Sequence, residues 1–272
     1  MLRSLWTAAS GMIAQQTNVD TIANNLANVN STGYKTEKAE FKSLLYQTLQ
    51  TKTTTANGVN KPIDAQVGLG VRNSSIESNF TQGIMTQTNV LTDFCIEGNG
   101  FFGVQGADGE IYYTRNGKFN YSINTTGGIS LTAADGCAIL DTNGNPIELG
   151  PEYQTNRIVV SSDGRILYKD AANNPQPIGI QIGLFQFNNP AGLTKTSGTR
   201  YQESPASGPV MNELTLNQNQ RSLVHQNYLE GSNVQVADEM VNLIIAQRAY
   251  EMNSKAIQAA DEMMGQANSL RR

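Results

Sequence analysis

The sequence predicts an α+β chain, with long N- and C-terminal coiled-coil helices flanking a central all-β domain that is antiparallel and rich in hairpins. Two observations carry this expectation. Apolar residues recur every three and four positions at both ends of the chain. Between those ends, Asp-Gly and Asn-Gly pairs, which favour tight hairpins, recur at short intervals. The expected segments are a helical region over 1–46 that packs with the C-terminal helix, an extended linker over 47–70, a β domain over 71–224 and a coiled-coil helix over 225–272. A chain of 272 residues is long enough to bury its core without a metal or disulfide staple.

In the first helix the spacing runs through Leu5, Ala8, Met12, Val19, Ile22, Leu26 and Val29, with Gln15 as the one polar exception. This is a heptad seam. Asn18, Asn24, Asn25 and Asn28 lie off it, and Gly33 can take the left-handed conformation that ends a helix. About 25 residues make a helix roughly 37 Å long at 1.5 Å rise per residue. Phe41, Leu44, Leu45 and Leu49 predict a second, shorter packing helix.

In the middle, Asp108-Gly109, Asn116-Gly117, Asp135-Gly136, Asn143-Gly144 and Asp163-Gly164 mark turns. The strands expected between them include 101–105, 111–114, 119–122, 157–160 and 165–168. Ile178, Ile180, Ile182 and Leu184 alternate as one half-buried strand should. Towards the C-terminus, Ser232 and Gln235 have capping-box spacing. Beyond them Val236, Leu243, Tyr250, Ile257 and Met264 repeat every seven residues, with Ala246, Ala249, Ala256, Ala260, Met263 and Leu270 expected on the same side.

Composition excludes several classes of function. Charged residues are 15% of the chain, against roughly 25% in ordinary soluble domains, while Asn, Gln, Ser and Thr make up about a third. The net charge is −4 and no run of Lys and Arg occurs, so neither nucleic acid nor an anionic membrane has an electrostatic footprint to meet. Little like-charge repulsion separates copies, which points towards self-association. The longest apolar stretches, such as 241–246, fall far short of the roughly 20 residues that a bilayer span needs, so no membrane insertion is expected. Residues 3–14 imitate a signal peptide, but Ser10 and Gly11 interrupt it and no cleaved signal is expected. Cys95 and Cys137 read as two small, half-buried apolar residues, although a chain ending outside the cytoplasm could pair them.

Three apparent sites dissolve on inspection. Gly98 to Gly103 spells G-x-G-x-x-G, but a turn at Asp108-Gly109 follows and leaves no room for the helix that a dinucleotide requires. Asp141, Asn143, Asn145 and Glu152 imitate a calcium loop, yet Pro146 stands where the sharp turn needs Gly. His225 is the one histidine, far in sequence from both cysteines, and no nucleophile elbow accompanies it. No catalytic residue, metal or cofactor is expected, and the chain does not read as an enzyme.

At both ends the residues resemble a known family. Ser10-Gly11-Met12, Ala14, Gln16, Asn18, Asp20, the run from Ile22 to Asn30 and Gly33-Tyr34-Lys35 resemble the N-terminal signature of bacterial flagellar rod and hook proteins. Leu229-Glu230, Ser232-Asn233-Val234, Glu239-Met240-Val241, Ile244, the run from Gln247 to Glu251, Asn253 and Lys255 resemble the C-terminal one. Gly98, Gly100-Phe101-Phe102 and the run from Tyr113 to Phe119 resemble the family's middle β domain. Arg3-Ser4-Leu5-Trp6 and Phe41 with Leu44 to Thr48 point to the distal part of the rod. Cys95, where Ala is the usual type, and Phe94 before it are local departures.

The resemblance implies a structural subunit, exported by the flagellar export apparatus without a cleaved signal. It implies a hollow helical homopolymer that crosses the periplasm and transmits torque to the hook. Its partners would be further copies, proximal rod and hook subunits and the surrounding ring proteins, with the terminal helices as the inner layer and the β domain outside. The expected assembly interface comprises Leu5, Met12, Val19, Ile22, Leu26 and Val29 at one end and Val236, Leu243, Tyr250, Ile257 and Met264 at the other. The alternatives are a proximal rod or hook subunit, or an extracellular β-domain binding module with coiled-coil ends.

Overall fold

The computed structural model describes residues 2–50, 65–124, 127–170 and 174–269. They divide into two compact units. One comprises Met1–Ala27, Glu37–Ser78 and Gln235–Arg272, and the other Asn28–Thr36 and Asn79–Val234. The architecture is α+β, with a helix at each end and a mostly β middle.

The first unit holds helices α1 (Leu2–Ala27) and α2 (Val236–Ser269). Strand Glu37–Ser43 pairs antiparallel with Val71–Ser78, with a register shift between Glu40 and Phe41. Tyr46–Gln50 pairs antiparallel with Ala65–Gly68. These pairings overturn the short helix expected around Phe41 to Leu49. Its apolar spacing defines no buried face, since Leu45 and Leu49 are exposed, and the backbone of 37–43 is satisfied by the neighbouring strand instead. The two ends of the expected linker are therefore a ladder; its residues 51–64 lie outside the described residues. Strand Val71–Ser78, expected to open the β domain, lies in the helical unit. Strands Leu223–Gln226 and Tyr228–Glu230 carry β structure past the expected boundary at 225.

Both helix starts and stops differ in detail from expectation. Helix α1 ends at Ala27, so Val29 sits in the following turn rather than on the seam. In α2 the Glu239 N–H donates to the Gln235 carbonyl, 3.0 Å away. The Ser232 hydroxyl accepts from the Val234 N–H at 3.3 Å, which closes a local turn ahead of the helix and is not the reciprocal capping expected of Ser232 and Gln235. Asp238 and Glu239 occupy the first turn, where carboxylates oppose the positive end of the helix dipole.

The second unit is built of antiparallel strands around two cores. Its largest sheet places Phe101–Gln105 between Ala138–Ile139, Ile111–Thr114 and Leu184–Gln186. Adjacent side chains on a strand face opposite ways, so Phe101 and Phe102 enter different cores. Phe102 packs with Phe94, Phe119, Ile139 and Ile182. Phe101 packs with Tyr113, Phe185, Phe187 and Tyr201, several of them edge to face. Both rings are fully buried, and truncating such a side chain to Ala typically costs about 3–5 kcal/mol.

Four of the five turn dipeptides behave as expected, with Gly109, Gly136, Gly144 and Gly164 at φ between 80° and 83°. Asn116-Gly117 does not join paired strands: Phe119–Ile123 pairs with Ile129–Ala133. A Cβ on Gly117 would overlap the Phe94 carbonyl, so this glycine serves close approach. The strand expected through Ile178 to Leu184 is interrupted; Pro175–Gln181 and Leu184–Gln186 join different sheets. Gly183 sits at the break, where a Cβ would collide with the Asp141 backbone.

Candidate assembly faces and a buried charge cluster

Helices α1 and α2 pack together and run antiparallel. A Cβ on Gly11 would lie 2.9 Å from Asn253 Nδ2, while Gln16 and Val19 share a groove with Gln247, Tyr250 and Glu251. Progress along α1 is thus matched by retreat along α2. On α1, Ile22 is buried and Leu5, Met12, Val19 and Leu26 are half-buried. On α2 the covered positions are Glu239, Leu243, Ala246, Ala249, Asn253, Ser254, Ile257, Ala260 and Met264. Val236 and Tyr250 are exposed. Leu270, expected on this side, lies outside the described residues. Ala256 and Met263, expected there too, are exposed as well. They join Val241, Ile245, Met252 and Ala259 on a second stripe, rotated roughly 120° around the axis at 3.6 residues per turn.

The polar residues of the N-terminal signature fasten α1 to its own unit. Asn25 donates to the Glu37 carbonyl at 2.8 Å and accepts from the Glu37 N–H at 2.9 Å, acting as a surrogate strand partner for β backbone. Ser10 Oγ accepts from the Val71 N–H at 3.3 Å. Gly11 leaves room for Asn253. An apolar-seam reading has no place for these contacts, which explains why the amides appeared only as off-seam residues.

In the second unit, three charged side chains meet without solvent. Lys35 Nζ is 2.7 Å from Glu230 Oε1, and Arg115 Nη1 is 3.6 Å from Glu230 Oε2, with all three side chains at 0–1% exposure. Lys35 also donates to the Thr81 carbonyl at 2.9 Å, the Gly83 N–H donates to Glu230 Oε1 at 2.9 Å, and Arg115 Nη2 donates to the Gly98 carbonyl at 2.7 Å. The Arg115 guanidinium lies 5.0 Å from the Phe101 ring centre, a cation–π distance. Burial pulls the Lys35 ammonium below its usual range, opposed by Glu230. Burial likewise lowers the Arg115 pKa. Gly33 belongs to the same junction: at φ +70° its N–H donates to the Glu230 carbonyl at 2.9 Å, and a Cβ would lie 2.6 Å from Asn116 N. Asn233 completes it, accepting from the Thr36 N–H at 2.7 Å and donating to the Asn79 carbonyl at 2.9 Å.

The residues considered for chemistry have structural roles. Gly98 and Gly100 lie in the turn between strands Phe94–Glu97 and Phe101–Gln105. Asp141 Oδ1 accepts from the Asn143 and Asn145 N–H groups at 2.7 and 3.0 Å, holding its own turn. His225 Nε2 is 2.7 Å from Glu97 Oε2 across a strand pair. Glu213, a buried carboxylate missed in the sequence, accepts from Ser222 N and Oγ and from Gln186 Nε2, each at 2.8 Å. Cys95 and Cys137 are buried free thiols. Among the described residues, no cluster of three or more His, Cys, Asp or Glu is placed to hold a metal ion, and no helix is long and apolar enough to cross a membrane.

A helix at each end of a mostly β middle, with the segments next to both helices joined through a buried charge cluster, defines a structural class of chain. Residues 5–35 match the flagella basal body rod protein model, 95–168 the flagellar hook protein FlgE/F/G D1 domain, and 225–270 the flagellar basal body rod FlgEFG protein C-terminal model. Each matched segment supplies one member of the buried cluster: Lys35, Arg115 and Glu230. The chain is 44% identical to flagellar basal-body rod protein FlgG of Borreliella burgdorferi, over 100% of both chains. It is 40% identical to FlgG of Agrobacterium fabrum, over 96% of this chain and 97% of that one, and 34% identical to FlgG of Bacillus subtilis, over 100% of both. A solved flagellar hook protein, FlgE2 of Helicobacter pylori, matches with TM-score 0.23 and 12% identity over 71% of this chain and 56% of that one, too distant a likeness to bear on the fold. The chain belongs to the flagellar basal-body rod protein family.

Proposed function

We infer that this chain is a structural subunit of the flagellar distal rod, self-assembling into a hollow helical drive shaft that crosses the periplasm and transmits torque to the hook. The observation that carries this reading is 44% identity across the whole of both chains with a basal-body rod protein. Its partners are further copies of itself, proximal rod and hook subunits, the rings around the rod and the export apparatus that delivers it without a cleaved signal. The terminal helices, whose heptad-spaced seams support coiled-coil packing, form the inner layer. The buried carboxylates Glu230 and Glu213 are committed to hydrogen bonds within the fold, which supports a structural rather than an enzymatic role.

Complementation tests this reading. In a strain lacking its distal rod protein, expression of this chain restores hooks attached to complete rods, and motility. Rods that remain truncated while the chain is stably exported contradict it.

A further inference from the structure

Strands Pro175–Gln181 and Leu184–Gln186 part at Gly183 and enter different sheets. Two diverging strands cannot both cover the space between them, and a recessed cavity of about 360 Å³ opens there, within the β unit. Its size is at the small end of the roughly 300–1,000 Å³ usual for ligand pockets. The buried Ile182 and Leu184 contribute to its wall, and so do Leu214 and Leu223, each 41% exposed. Segment 212–223 forms one side of it and is fastened from within. Asn212 Oδ1 accepts from the Leu214 N–H at 3.0 Å, and the buried Glu213 carboxylate holds both Ser222 N and Ser222 Oγ. Arg221 donates from Nε to the Leu216 carbonyl at 3.0 Å and from Nη2 to the Leu214 carbonyl at 2.7 Å. Its Nη1 has no partner among the described residues. A wall ordered in this way before a ligand arrives loses little freedom on binding.

Asp163 and Arg165 line the same cavity. The Asp163 carbonyl accepts from Gln181 Nε2 at 2.6 Å and so holds the turn, but among the described residues neither side chain has a hydrogen-bond or ion-pair partner. With Glu213 committed to the fold, the ionic groups left for a ligand are the guanidiniums of Arg165 and Arg221 and the Asp163 carboxylate. Charge complementarity asks for a carboxylate, which guanidinium groups bind with charge-assisted hydrogen bonds, and for an ammonium beside Asp163. Leu214 and Leu223 ask for an aliphatic side chain. The volume is too small for a helix or a strand. We propose that this cavity binds a short zwitterionic peptide with an aliphatic side chain, its carboxylate held by Arg165 and Arg221 and its ammonium by Asp163. The site makes no use of the terminal helices, so it stands or falls apart from the rod reading.

The test titrates glycyl-leucine against the full chain and follows it by saturation-transfer NMR of the peptide, which detects weak as well as tight binding. Saturable binding is expected. Affinity should be at least tenfold lower for glycyl-leucinamide, which lacks the carboxylate, and for N-acetylglycyl-leucine, which lacks the ammonium. Arg165→Gln, a change at an exposed side chain, should keep the melting temperature and weaken glycyl-leucine at least tenfold. Asp163→Asn should bring glycyl-leucine and its N-acetyl form to equal affinity. Absence of saturable binding overturns the proposal, as does binding that Arg165→Gln leaves unchanged, which would put the peptide elsewhere on the chain. Equal affinity of the parent for glycyl-leucine and N-acetylglycyl-leucine overturns it too, because the cavity would then take the end of a longer chain.

Discussion

Lys35 Nζ and Glu230 Oε1 lie 2.7 Å apart with both side chains fully buried, joining the segment that follows α1 to the segment that precedes α2 across 195 residues of sequence. Arg115 brings a second cation to the same carboxylate. Two cations and one anion without solvent form an arrangement in which the carboxylate is the member the others depend on. Desolvation opposes such a cluster, and its attraction offsets that cost only while the geometry holds. It therefore specifies which segments meet more than it adds stability.

Glu230→Gln leaves Lys35 and Arg115 as buried cations without an anion. Breaking a buried ion pair in this way costs about 3–5 kcal/mol, so the variant should unfold at markedly lower urea concentration, with β circular dichroism as the probe. Lys35→Met keeps Glu230 beside Arg115 and the Gly83 N–H and should lose less. A Glu230→Gln penalty no larger than that of an ordinary surface change, about 0.5 kcal/mol, contradicts this account.

Glycines with similar backbone angles separate two mechanisms. Gly33 and Gly136 have φ of +70° and +80°, but only Gly33 is crowded; around Gly136 nothing lies within 4 Å of an added Cβ. Gly136→Ala should cost about 1–2 kcal/mol from conformation alone. Gly33→Ala adds overlap with the 115–116 backbone, worth a further 1–3 kcal/mol or so. Equal melting temperatures for the two variants contradict a close approach at Gly33.

Much of this was legible in the sequence, and the failures have physical causes. Helix α1 was legible because its 3.6-residue periodicity persists from Leu5 to Leu26, and the hairpins at Gly109, Gly136, Gly144 and Gly164 because left-handed turns select Gly. Asn116-Gly117 carries the same signal for another reason, the approach of Phe94. Phe41 to Leu49 imitated a helix because a few apolar residues at three- and four-residue spacing cannot reveal whether a neighbouring strand takes the backbone. The two stripes of α2 were merged because Ala256 and Met263 adjoin Ile257 and Met264 in sequence, and one residue is a 100° rotation. The charge cluster was invisible: each member is an ordinary charged residue until the fold brings the three together.

The Cys95 thiol is pushed up to about 12 from 9.0 by burial, with Glu230 adding to the effect. In the unfolded chain it ionises near 9, in the folded one only near 12. The unfolded state thus holds fewer protons between these values, and the stability contributed by Cys95 falls as pH rises from 9 to 12. Lys35, with its lowered pKa, acts in the opposite direction at the lower end of this window, so the informative quantity is the difference between the parent and Cys95→Ala. The parent should lose about 1.4 kcal/mol per pH unit relative to the variant. Parallel stability curves above pH 9 contradict a buried neutral thiol.

Leu243→Asp tests the division between the two units. Leu243 is half-buried on α2, the helix that packs with α1, and a carboxylate there loses part of the roughly 1.5–3 kcal/mol that full burial of a leucine contributes. Helical circular dichroism should fall and polymerisation cease, while the β unit keeps a cooperative transition. Loss of the β transition together with the helices, or normal polymerisation, contradicts independent units.

The central claim, that copies of this chain build the distal rod, is tested most directly by electron cryomicroscopy of purified basal bodies carrying a tag on a surface turn of the β unit, such as Gly136. The account predicts regularly repeating tag density around the rod segment that adjoins the hook. Tag density confined to the hook, to the rings or to no axial structure contradicts it.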